Sequence, residues 1–222
     1  MLRRETTRLR HLPIPAADSF TWKREDDAYS QSAGHLVIVS DGKAVDVEKA
    51  SSGRFSADPQ AIYPRWAEFR HWADESRFTD AHPFEPADLG APSPAPRQLF
   101  AIGLNYRAHA RETGFAIPDD PPVFTKFVTS ISGPVTEVAL PDNSHTDWEV
   151  ELVVIIGTHA YQASEAQAWS HVAGLAVGQD ISERIAQMKG PSPQFSLAKS
   201  YPGFWIDMAH FGGSSGGKCK CK

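Results

Sequence analysis

With 222 residues, 41% hydrophobic and 22% charged, the chain has an ordinary globular composition and enough length for a sizeable core. Its net charge of −5 argues against a nucleic-acid partner, and no apolar run approaches the roughly 18 residues that a membrane-spanning helix needs. The two cysteines, Cys219 and Cys221, exclude a disulfide framework for everything before them and agree with a reducing, cytoplasmic setting.

Residues 1–34 are polar and irregular, and no element is assigned to them. Leu36-Val37-Ile38-Val39, Asp41-Gly42 and Ala44-Val45-Asp46-Val47 predict a hairpin, because Asp-Gly suits a type I′ turn whose twist matches antiparallel strands. Asp58-Pro59 reads as a helix cap followed by a first-turn proline, with Pro64 interrupting or restarting the helix. Beyond it Trp66, Phe69, Trp72 and Ala73 recur at helical spacing, a core-facing stripe rather than an aromatic binding site. Five prolines between His82 and Arg97 exclude a continued helix or a central strand. The expected organisation is a small N-terminal domain over residues 1–82, a linker over 83–97, and the chemistry from residue 98 onward.

Leu99–Gly103 reads as a short strand, and Asn105 as the cap of a helix that runs to about Thr113 and stops at Gly114. His109 and Glu112 are i and i+3 on that helix, so they share a face. A carboxylate beside an imidazole fixes its tautomer and raises its basicity, as a general base requires; an ordinary surface pair has the same spacing. Residues 114–122 are rich in proline and aspartate and form a loop able to cover a site. Val123–Phe127 is again strand-like.

Asp147-Trp148-Glu149-Val150-Glu151 then runs into Leu152-Val153-Val154-Ile155-Ile156-Gly157. Five aliphatics in a row predict a strand buried on both faces. Glu149 and Glu151 lie on one face of it, their Cα atoms roughly 6.5–7 Å apart. Either both face solvent, or two carboxylates aim at one spot and require a hard cation such as magnesium, manganese or calcium between them. Ser164 and Gln167 form a capping box, and Val172–Gly178 reads as a strand that ends at Asp180. A carboxylate there can return to the place where the glutamates point, as a third oxygen ligand. From Gly212 the chain turns to Gly/Ser and then Lys/Cys, the composition of a flexible tail, and its two thiols lack the other ligands of a structural zinc site.

Four motifs in order carry a family likeness: Gly103-Leu104-Asn105-Tyr106-Arg107-Ala108-His109, Asp147-Trp148-Glu149-Val150-Glu151-Leu152, Gly178-Gln179-Asp180-Ile181-Ser182-Glu183-Arg184 and Ala198-Lys199-Ser200-Tyr201. Together they resemble the fumarylacetoacetate hydrolase family over about residues 98–204. The resemblance implies an α+β, mainly β fold, a mixed β-sandwich roll with a small N-terminal domain. It implies magnesium or manganese held by Glu149, Glu151 and Asp180. It implies that His109 and Glu112 activate water or transfer a proton on a segment that closes over substrate, and that Lys199 stabilises negative charge on that substrate. A small 2-oxo acid or β-dicarbonyl acid as substrate and a homodimer belong to the same expectation. Family members take such substrates through an enolate to carbon–carbon hydrolysis, isomerisation or decarboxylation. The likeness stops near Gly203-Phe204, so residues 205–222 are expected to be an atypical, flexible tail on an incomplete roll, with apolar residues such as Val153 and Ile155 left exposed. An inactive truncated product is the competing expectation.

Overall fold

A computed structural model describes residues 28–40, 42–114 and 116–212, and the architecture is α+β and mainly β. Strands β1 (Ala28–Ser32), β2 (His35–Ser40) and β3 (Lys43–Asp46) form an antiparallel meander. Ser40 and Lys43 pair across the β2–β3 connection, so the expected hairpin is present, although Asp41 of its turn lies outside the described residues. β1 falls within the stretch that sequence reading leaves without an element. Its buried half, Ala28-Tyr29-Ser30, offers neither a period-two alternation nor an aliphatic run.

Asp46 ends β3 and caps α1 (Val47–Ala50), accepting the Lys49 N–H at 3.0 Å. Asp58 likewise caps a 3-10 turn over Pro59–Arg65 through the Gln60 N–H at 2.9 Å, and α2 (Trp66–Glu75) follows. Trp66, Phe69 and Ala73 are buried and Trp72 packs at the edge of the same cluster, so the aromatic stripe is core. β4 (His82–Pro83) and β5 (Leu89–Gly90) close this first sheet in the order β4-β3-β2-β1-β5. The expected linker therefore contributes two strand fragments, both at sheet edges, where a missing proline N–H interrupts no ladder.

β6 (Phe100–Ile102) pairs with β7 (Val123–Thr125), and α3 (Arg107–Thr113) lies between them. The N-cap of α3 is Tyr106 rather than Asn105, with no side-chain cap bond, and Gly114 ends the helix at φ 72°. Next come β8 (Ile131–Ser132), β9 (Thr146–Asp147), β10 (Val150–Ile156), α4 (Glu165–Ala168) with its Ser164/Gln167 capping box, and β11 (Val172–Asp180). β12 (Ser182–Glu183), α5 (Arg184–Gln187), α6 (Phe195–Ala198) and β13 (Trp205–Gly212) complete the described chain. The main sheet has the order β10-β11-β13-β8, and β9 pairs separately with β12.

Three expectations fail here, one of them that Val153 and Ile155 would be left exposed: Ile155 is 8% exposed and Val153 packs against the same buried cluster. Residues 205–212 are no tail: β13 sits between β11 and β8, and its Trp205 and Ile206 are buried. Residues 213–222 lie outside the described residues. Nor is β10 buried on both faces. Val150, Leu152, Val154 and Ile156 are 45–57% exposed, whereas Val153 and Ile155 pack into the cluster that holds Trp66, Phe69 and Ala173. β10 is an edge strand with one covered face, and an unbroken aliphatic run does not distinguish that from a strand covered twice. Gly157 follows β10 where a Cβ would lie 2.7 Å from the Ala173 Cβ and 2.8 Å from the Trp66 ring, which lets α2 pack closely on the main sheet.

Candidate active site

The site is built where β10, β11 and β12 come together. Asp180 donates its backbone N–H to the Glu149 carbonyl at 2.8 Å, so the carboxylates of these two residues start from adjacent strands. Lys199, directly after α6, joins them. Its ammonium has three protons and spends all of them, on Glu149 Oε2 at 3.1 Å, Asp180 Oδ2 at 3.0 Å and Ser182 Oγ at 2.6 Å. Lys126, just beyond β7, approaches from the other side: its buried Nζ donates to Asp180 Oδ1 at 2.6 Å and stands 5.5 Å from the Trp205 ring centroid. Both oxygens of a fully buried carboxylate are therefore paired with ammonium groups.

Arg184 supplies a third cation. Glu183 caps α5 by accepting the Ile185 and Ala186 N–H groups and also holds the His145 N–H at 2.9 Å. That cap points the Arg184 guanidinium at Glu149 Oε1 (2.7 Å) and Asp147 Oδ2 (2.8 Å). Burial works against ionised Glu149, but Lys199 and Arg184 outweigh it and hold its carboxyl below the usual range. Glu151 is shifted the other way, raised first by burial and then by the negative charges of Glu149 and Asp180. Lys126 is pushed down to about 8 by burial, with Asp180 opposing the shift.

The three carboxylates singled out from sequence thus share one electrostatic field, and Lys199 lies in it. Among the described residues no three His, Cys, Asp or Glu side chains are arranged to hold a metal ion, since cationic side chains occupy the oxygens of Glu149 and Asp180. The donor set itself suits a hard divalent cation: it is all carboxylate oxygen, and burial together with the negative charges of Glu149 and Asp180 disfavours ionised Glu151. His109 and Glu112 sit on α3 with Nδ1 and Oε2 3.9 Å apart, a long and solvent-exposed contact. Of the influences on the Glu151 carboxyl, that of His109 is the smallest, and it opposes the raising effect of burial.

Residues 98–206, which include all of these groups, match the model of the fumarylacetoacetate (FAA) hydrolase C-terminal domain. This stretch belongs to the fumarylacetoacetate hydrolase family. The chain is 45% identical over 116 residues to 2,4-didehydro-3-deoxy-L-rhamnonate hydrolase of Sphingomonas sp. (strain SKA58), an alignment that covers 52% of this chain and 40% of that protein. It is 40% identical over 115 residues to the mitochondrial oxaloacetate tautomerase FAHD2A of Homo sapiens, covering 51% and 37% respectively. A crystal structure from Mycobacterium smegmatis, provisionally assigned as an HpcE protein, superposes with a TM-score of 0.77 at 47% identity over 82% of this chain and 65% of that one. The chain thus spans about 40% of the length of these curated relatives.

Sequence reasoning missed three members of this cluster. Lys126 is a lone charge inside the apolar run Val123–Phe127, and that mismatch was its only signal. Arg184 and Ser182 lie within a quoted motif, but nothing in their spacing shows that a capped helix and a strand pair turn them toward Glu149 and Lys199.

Proposed function

We propose that the chain carries the metal-dependent centre of an enzyme acting on small 2-oxo acids or β-dicarbonyl acids, with carbon–carbon bond hydrolysis as its reaction. The observation that carries this reading is the meeting of Glu149, Asp180 and Lys199 at one buried point beside a strained Glu151. Glu149, Glu151 and Asp180 would hold one magnesium or manganese ion, and calcium has the same ligand preference. When bound, the ion supplies Lewis-acid polarisation of the substrate oxygens.

The protein's own groups do the rest. Lys199, its three protons committed to Glu149, Asp180 and Ser182, sets its positive charge beside the negative charge that grows on a substrate oxygen as a proton leaves the neighbouring carbon. His109, oriented by Glu112, takes or returns that proton, or removes one from an attacking water. Arg184 keeps Glu149 ionised and fixed. α3 is mostly exposed and anchored by Ala110, as suits a segment that moves over a substrate. A second reading, oxaloacetate tautomerisation, uses the same enolisation without bond cleavage and is favoured by the 40% identical human relative.

Calorimetric titration with manganese tests the centre. Glu151→Gln should weaken binding at least tenfold, and equal affinity in parent and variant would refute the ligand assignment. Assays on acylpyruvates and on the enol form of oxaloacetate, with and without metal, separate the two reactions.

A further inference from the structure

Asp207 belongs to none of this machinery. It lies on β13 opposite Gly178, is 3% exposed, and its Oδ1 has no hydrogen-bond partner among the described residues. β1 and β5 of the N-terminal sheet pack against β13, and the 3-10 turn over Pro59–Arg65 brings the Tyr63 phenol within electrostatic reach of Asp207. The carboxyl therefore sits in the seam between the two sheets.

Among the described residues, none of the neighbouring elements offers it a cation. β5 and β8 carry no titratable side chain, and β1 carries only Tyr29. On β11 the titratable group is Asp180, which Lys126 and Lys199 hold. In the turn Arg65 is bonded to Glu68, and the Tyr63 hydroxyl donates to the Pro92 carbonyl at 3.1 Å. Burial alone pushes the Asp207 carboxyl up, to about 7.

We propose that Asp207 is a buried acid latch: as the neutral acid it lets the N-terminal sheet seat on the main sheet, and its ionisation loosens that seam. The sign follows from linkage. An unfolded aspartate ionises near about 4, and the folded one near about 7. The unfolded chain thus releases the proton first, stability falls as pH rises between these values, and the loss is complete above the higher one.

Thermal melting of the parent and of Asp207→Asn at pH 4.5 and pH 7.5 tests this. The isosteric amide stays neutral, so the two should melt close together at pH 4.5, with the variant higher by about 4 °C or more at pH 7.5. A constant gap at both pH values overturns the latch. Hydrogen exchange on the unsubstituted protein locates the effect and stands even if the variant does not fold. With rates corrected for pH, residues 28–32 and 59–66 should lose protection between pH 6 and pH 8 relative to residues 172–180. Unchanged relative protection also overturns it.

Discussion

Lys126 shows how much one side chain can settle. Its ammonium is fully buried and is ion-paired with Asp180, so removing it strands a carboxylate oxygen where water does not reach. Breaking a buried pair by deleting one partner costs about 3–5 kcal/mol, far more than a surface ion pair is worth. Lys126→Met keeps most of the volume and loses the charge, so it should destabilise the protein by about 3 kcal/mol in urea titration. The contrasting case is Arg65 with Glu68, an exposed pair at 2.7 Å that holds the Glu68 carboxyl low. Replacing either should leave stability within about 1 kcal/mol. Lys199 explains why a lysine of no special sequence context becomes central: three acceptors, from the connection before β10, the end of β11 and the start of β12, meet only in the folded chain.

Among the elements, β11 carries the most structure per residue. It is the middle of β10-β11-β13, and its glycine at 178 lies under the Trp205 ring. A Cβ there would meet ring carbons at 2.8 and 2.9 Å and a Val153 methyl at 2.8 Å. Those atoms belong to packed side chains, and overpacking of this kind costs about 1–3 kcal/mol. Gly178→Ala should therefore lower the melting temperature by several degrees, and it should do so without changing secondary structure in the far-ultraviolet spectrum. The turn Gly114, by contrast, has open space around a Cβ and is required for its positive φ alone. β13 was the element least accessible to sequence reading. A strand of mixed polarity next to a Gly/Ser/Lys stretch has the composition of a tail, and only pairing with β11 and β8 gives its backbone groups partners.

At the scale of the molecule the two sheets share one core. Tyr29, Phe55, Trp66 and Phe69 from the N-terminal sheet and its helix lie in the same cluster as Ile155 and Ala173 of the main sheet. A core that crosses the boundary couples the two parts, so the described chain should unfold in a single transition by tryptophan fluorescence and by circular dichroism. Phe69→Ala, on one side, and Ile155→Ala, on the other, should each move that whole transition rather than split it, by about 3–5 and 2–5 kcal/mol respectively. Two separated transitions would show that the sheets fold independently. The sequence by itself determined what is local: the β2–β3 hairpin, the Asp58 cap, the α2 stripe, the Ser164/Gln167 capping box, and the motifs that place Glu149, Glu151, Asp180, His109, Glu112 and Lys199 in a family. These are legible because each depends on residues a few positions apart. Tertiary structure alone decided which face of β10 is covered, that residues 205–212 form a strand, that Lys126 and Arg184 belong to the site, and that Asp207 is sealed between sheets. Each of those depends on what a distant segment brings alongside, a relation that spacing along the chain does not record.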